Sequence, residues 1–166
     1  MSLYFKLLES KIEELRSGTK RPTLLDIKIE LDLNLVLEDT LFTSDMDKLN
    51  FYRNIESIQT LEELAEFEQN CADIDSVGFN TLILLVQARI YFSYHHIKSV
   101  KRIMGDYILN FEGATTQTIR EFLETDKNGN FIVQSLERIK VDKNIYTSDL
   151  DFLHKLVYSF SYDKTQ

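Results

Sequence analysis

Apolar residues recur every three or four positions at the start of the chain. Leu3, Tyr4, Leu7, Leu8, Ile12 and Leu15 share one side of a helix that Ser2 caps and Gly18 ends, and 18–22 is a polar connector closed by Pro22. The period then changes. From Asp26 to Glu38, Ile27, Ile29, Leu31, Leu33, Leu35 and Leu37 alternate with polar residues, and Val36 alone breaks the alternation. A period of two over such a run predicts a half-buried strand, with a helix as the rival because leucines and acids form strands poorly. Helices return at Ser44, which precedes Met46, Leu49, Tyr52, Ile55 and Ile58. They continue at Thr60, whose spacing to Glu63 makes a capping box ahead of Leu61, Leu64, Ala65 and Phe67. Residues Ala72 to Gly78 read as a loop.

The longest expected element is a helix from about Asn80 to about Asn110. Its first half, Leu82-Ile83-Leu84-Leu85-Val86, is apolar all round, as in a buried helix. In its second half, Ile97, Val100, Met104, Tyr107 and Phe111 take one side. His95, Lys98 and Arg102 take another as a basic stripe, with Lys101 alongside. A helix over Thr116–Glu124 follows, then a turn at Asp126-Lys127-Asn128-Gly129-Asn130 with an Asn-Gly centre suited to a hairpin. Short strands at Phe131–Val133 and Ile139–Val141, a turn at Lys143-Asn144 and a helix capped by Ser148 complete the chain. The pattern predicts an α+β, mainly α-helical protein. A helical N-terminal domain over 1–125 precedes a small C-terminal β-turn-β-helix domain over 126–166.

Composition adds little to that outline, but charge does. Of 166 residues, 43% are hydrophobic and 28% charged, enough to bury a core, and 5 Gly with 1 Pro argue against long linkers. The net charge of −8 is uneven. Leu24–Gly78 holds 14 acidic and 3 basic residues, a net of −11, whereas Phe79–Leu123 holds 5 basic and 3 acidic, a net of +2. An acidic third repels nucleic acid, so direct nucleic-acid contact is not expected. The basic-then-apolar layout of a signal peptide is absent from the first residues, and the longest fully apolar run, Leu82–Val86, is too short for a bilayer. These features predict a cytoplasmic protein, or a nuclear one in a eukaryote.

Candidate chemistry is sparse. No Gly-rich phosphate loop, His-Glu-x-x-His, paired CxxC or Gly-x-Ser-x-Gly occurs, so neither a catalytic residue nor a cofactor is expected. Cys71 excludes an internal disulfide, and its acidic setting does not favour a thiolate. His95 and His96 are adjacent, and adjacent helical residues point about 100° apart, so a shared metal is not expected. Asp126, Asn128, Asn130 and Glu137 stand at calcium-loop offsets 1, 3, 5 and 12, but Phe131 takes the sixth place where glycine is needed. The stripe of His95, Lys98, Lys101 and Arg102 suits pairing with the chain's own acids or docking to a protein.

Residues Gln87 to Ile103, which mix aromatic, basic and aliphatic positions, and the tail from Phe131 through Val141 and Tyr146 to Leu153 resemble one class of subunit of the GINS complex, the scaffold of the replicative helicase in archaea and eukaryotes. Of the basic run that precedes the family's central-helix aromatics, this chain keeps Arg89, which joins the stripe as an interaction residue. The resemblance implies a non-enzymatic, GINS-like subunit in DNA replication whose partners are other protein subunits of a hetero-oligomer. The acidic third supports an alternative: an inhibitor, immunity or viral anti-host protein that covers a basic partner.

Overall fold

The structure, a computed structural model, describes residues 21–164. The expected helix over Leu3–Leu15, with its Ser2 cap and Gly18 stop, lies outside the described residues. The described chain contains helices α1 (Asp45–Glu56), α2 (Leu61–Asn70), α3 (Val77–Tyr94), α4 (Thr116–Leu123) and α5 (Asp149–Lys164). Its strands are β1 (Lys28–Glu30), β2 (Ile97–Ile103), β3 (Asp106–Phe111), β4 (Phe131–Ser135) and β5 (Arg138–Asp142). The protein is therefore α+β, with one mixed sheet of order β1-β2-β3-β5-β4. Three of its five strands precede residue 125, so the expected order of helices first and strands last is not what the chain shows. Two compact units emerge, each made of separated stretches. Of the described residues, the first comprises 21–30 and 92–145, and the second 31–91 and 146–164. The 126–130 turn lies inside the first unit.

The first unit is the sheet with α4 on one face. β1 runs parallel to β2, and the remaining neighbours are antiparallel. Rows of paired residues cross the sheet. One row reads Ile29, Val100, Leu109, Ile139, Val133, and the next Tyr107, Val141, Phe131. Val100, Tyr107, Leu109, Phe111, Ile139 and Val141 are buried on this face. Ile119 and Phe122 of α4 are buried as well. Phe122 meets Phe111 edge-on at 5.4 Å between centroids and stacks on Phe131 at 5.0 Å. Complete burial of a ring of this size contributes roughly 1.5–3 kcal/mol. α4 starts in a reciprocal capping box between Thr115 and Thr118, which satisfies two backbone donors at an exposed helix end.

The second unit is helical. Leu37, Ile55, Ile58, Leu64, Phe79, Ile83 and Val86 form its core, with Phe51 in ring contact with Phe42, Phe67 and Phe79. Leu84, Ala88 and Tyr91 of α3 are buried, as are Phe152, Leu153, Leu156 and Phe160 of α5, and the Tyr91 and Phe160 rings lie 5.4 Å apart. The expected caps are present: Ser44, Thr60 and Ser148 side chains accept from the backbone N–H groups of Asp47, Glu63 and Asp151. Gly78 sits where a Cβ would come within 2.0 Å of the Val36 carbonyl oxygen, so the extended chain at Val36 can approach α3 only past a glycine.

Two expectations need correction. Only Lys28–Glu30 of the alternating 26–38 segment is paired as a strand; 31–38 is irregular, and a 3-10 turn follows at Asp39–Leu41. The alternation is nonetheless visible in burial up to Leu33, because extended backbone alternates its side chains whether or not it is hydrogen-bonded to a neighbour. Asp32 N–H is held by the Asp149 carboxylate at 2.8 Å and Val36 N–H by Asn34, so side chains take over part of the work of a ladder. The long helix expected to reach Asn110 ends at Tyr94. Beyond it, β2 and β3 form a hairpin around Met104-Gly105. The chain turns at His96, whose φ is 65°, and again at Met104, whose φ is 53°, two left-handed positions that carry no glycine.

Candidate functional site

The end of the helix at Tyr94 disperses the basic stripe. His95 is half-buried in the corner after α3, its ring 5.6 Å from Phe122 and 5.2 Å from Tyr94. Lys98 is exposed at an irregularity in the β2–β3 register. Lys101 and Arg102 are consecutive strand residues and point to opposite faces of the sheet. Lys101 is paired with Ile108 on the face away from α4, and Arg102 with Tyr107 on the other. The four residues thus form no single basic surface. His96 is buried, and its Nδ1 lies 3.2 Å from the Glu112 carbonyl, which only accepts, so this nitrogen carries the proton. Among the described residues, no group of three or more His, Cys, Asp or Glu is placed to hold a metal.

Arg89 belongs to the second unit, on α3. Its Nε is buried and makes no hydrogen bond, and burial pushes the guanidinium below its ordinary value. Cys71 is half-buried, and burial together with the nearby Asp73 charge pushes its thiol up, away from the thiolate. The Asp126 carboxylate accepts from the backbone N–H groups of Asn130 at 3.0 Å and Phe131 at 2.8 Å, so it holds the turn together from within. That turn carries α4 into β4, and the Asn-Gly centre expected to close a hairpin does not do so; Leu136-Glu137 joins β4 to β5 instead.

The two edges of the sheet differ. β1 has three residues, and two of them, Lys28 and Glu30, are charged. Short length and charge are the usual means of protecting an edge from foreign strands. β4 has five residues, Phe131 to Ser135, with neither charge nor proline. It pairs with β5 alone among the described residues, and a register irregularity between Val133 and Ser135 is its one protective device. Ile132, Val133 and Leu136, at the turn beyond it, are 51%, 44% and 47% exposed. Among the described residues this edge is open, with apolar side chains on both faces.

No protein-family model matches the chain, and no curated protein matches it. A solved structure does. The fold is similar to that of the C-terminal domain of a transcription-repair coupling factor. The TM-score is 0.65 over 81% of this chain and 89% of that one, with 16% identity. At that identity the likeness is one of fold.

The open edge was not visible in the sequence as a site, because Phe131-Ile132-Val133 reads equally as the centre of a sheet. A strand between Lys127 and Glu137 with no charge of its own was the available signal.

Proposed function

We propose that this chain is a partner-binding domain, a non-catalytic subunit or adaptor whose sheet receives an extended segment of another protein along β4. The observation that carries this reading is the contrast between a blunted β1 edge and an uncharged, partly apolar β4 edge. A GINS-like scaffold subunit in DNA replication is a narrower form of the same proposal. The helix that carries that resemblance stops at Tyr94, so the narrower form rests on Gln87–Tyr94 and the β-containing tail.

Ile132→Lys tests the proposal. The position is already exposed, so stability changes by no more than about 0.5 kcal/mol. A protein that co-purifies in stoichiometric amount with the wild type is expected to be lost with the variant. Co-purification that survives the substitution, or a wild-type chain that retains no stoichiometric partner, overturns the edge reading.

The distribution of charge favours a second reading. Among the described residues, the second unit holds fifteen Asp and Glu against five Lys and Arg, a net of −10, whereas the first holds nine against ten, a net of +1. A helical unit with that excess suits a basic protein partner, as an acidic inhibitor would.

A further inference from the structure

The β4 edge has a basic flank. Side chains alternate along a strand, so Ile132, Arg138 and Lys140 lie on the sheet face away from α4. There Ile132 of β4 is paired with Lys140 of β5, and Ser135 with Arg138. Arg138 is exposed and Lys140 half-buried, and among the described residues neither forms an ion pair. Asp142 shares their face at the end of β5, but its carboxylate already accepts from the Asn144 N–H at 2.9 Å. The backbone of the edge is also partly spoken for. Phe131 N–H donates to the Asp126 carboxylate at 2.8 Å, so Phe131 turns its backbone away from β5. Backbone groups alternate in an antiparallel ladder, so Ile132 bonds to β5 and Val133 presents its N–H and C=O to the free edge. The irregularity between Val133 and Ser135 keeps the regular edge short. With few backbone bonds to offer, such an edge must select its partner through side chains.

A strand added to this edge lies two strand spacings from β5, about 10 Å. The irregularity adds its extra residue to β4 alone, so the positions in line with Lys140 and Arg138 are two residues apart on the added strand. A carboxylate beside Ser135 meets Arg138 across a side chain too short to obstruct it. One beside Ile132 lays its stem on that exposed residue and turns its head toward Lys140. The residue between them falls on the α4 face beside Val133, which is 44% exposed, and suits an apolar side chain. We infer that β4 receives an extended segment of a partner protein with the pattern apolar-acid-apolar-acid-apolar. The inference rests on the β4-edge reading above and gives that edge its partner. The chain carries such a run itself, Ile29-Glu30-Leu31-Asp32-Leu33. There, however, Ile29 is paired with Val100 and the Asp32 N–H is held by Asp149, so a second copy is already using that stretch internally.

The probe is a capped synthetic peptide with the core Val-Glu-Val-Glu-Val, titrated into the isotope-labelled full chain and followed by amide shifts. It is compared with a version carrying Lys for both Glu, and with one carrying Pro for the central Val, which cannot complete a ladder. The Glu peptide is expected to bind at least tenfold more tightly than either control and to shift Phe131–Ser135 most. Arg138→Glu, at an exposed position, is expected to weaken the Glu peptide at least fivefold and to strengthen the Lys peptide. The milder Arg138→Gln should weaken the Glu peptide about twofold. If the Glu and Lys peptides bind alike while the Pro peptide does not bind, or if Arg138→Glu leaves the Glu peptide unaffected, selection for acids is overturned and the edge reading stands. If the Pro peptide binds as well as its parent, or no peptide shifts β4, both fall. If the chain alone self-associates with rising concentration and Ile132→Lys abolishes that, the occupant is a second copy and the partner segment is overturned.

Discussion

Arg89 is a half-buried charged group whose Nε finds no hydrogen-bond partner among the described residues. Its Nε has neither water contact nor a hydrogen-bond acceptor, and burial alone accounts for the lowered affinity of the guanidinium for its proton. An unsatisfied buried donor destabilises a protein by about 1–3 kcal/mol, and partial exposure places Arg89 at the low end. Arg89→Met keeps the length of the side chain and removes the donors. It is expected to stabilise the protein by about 1 kcal/mol, a rise in Tm of roughly 2–4 °C. A fall in Tm of similar size would show that the guanidinium makes a compensating interaction. The sequence placed Arg89 among interaction residues by its neighbours. It could not show that the charge sits half inside the helical unit, because burial depends on what packs around Leu85–Phe92.

Capped helix starts were the most legible elements, because an N-cap is a local event between residues three apart. Ser148 is one of them, and α5 begins with a second device beside it. The Asp151 carboxyl is held below its usual range, first by the Thr147 backbone N–H at 3.0 Å and also by Lys155 at 3.2 Å. Its folded value lies below its unfolded one, so its contribution is complete above the ordinary carboxylate range and is lost as pH falls through the folded value. Asp151→Asn is therefore expected to lower Tm at neutral pH, and the gap from wild type should close on acidification. A gap that is constant with pH would remove the ionic account. The 95–111 stretch was misread because both periods fit its composition. Ile97, Val100, Met104, Tyr107 and Phe111 recur at helical spacing, yet the buried apolar set is Ile97, Val100, Tyr107, Ile108, Leu109 and Phe111, and Met104 is 90% exposed at the turn. What breaks the helix is left-handed backbone at His96 and Met104, residue types that do not announce it.

At the scale of the molecule, the acidic excess was readable as a run from Leu24 to Gly78, but its confinement to one unit needed the fold, which adds 149–163 and removes Asp26 and Glu30. Fifteen acidic groups in one unit repel one another over a Debye length of about 30 Å at 0.01 M salt and about 8 Å at 0.15 M. Raising NaCl across that interval is expected to raise Tm, and a flat or falling Tm would show that internal pairing already cancels the repulsion. The open β4 edge was beyond reach for the same reason as the pairing of β1 with β2: each depends on residues far apart in sequence. That last pairing has a consequence in time. Lys28 meets Ser99, so the whole run from Leu31 to Tyr91 is made after β1 and before its partner, and the helical run must in turn wait for α5. During synthesis β1 emerges with no mate, and neither unit closes until most of the chain has left the ribosome. A long-range parallel pairing of this kind carries a large loop-closure entropy, which favours late, slow assembly of the sheet edge around two partly formed halves.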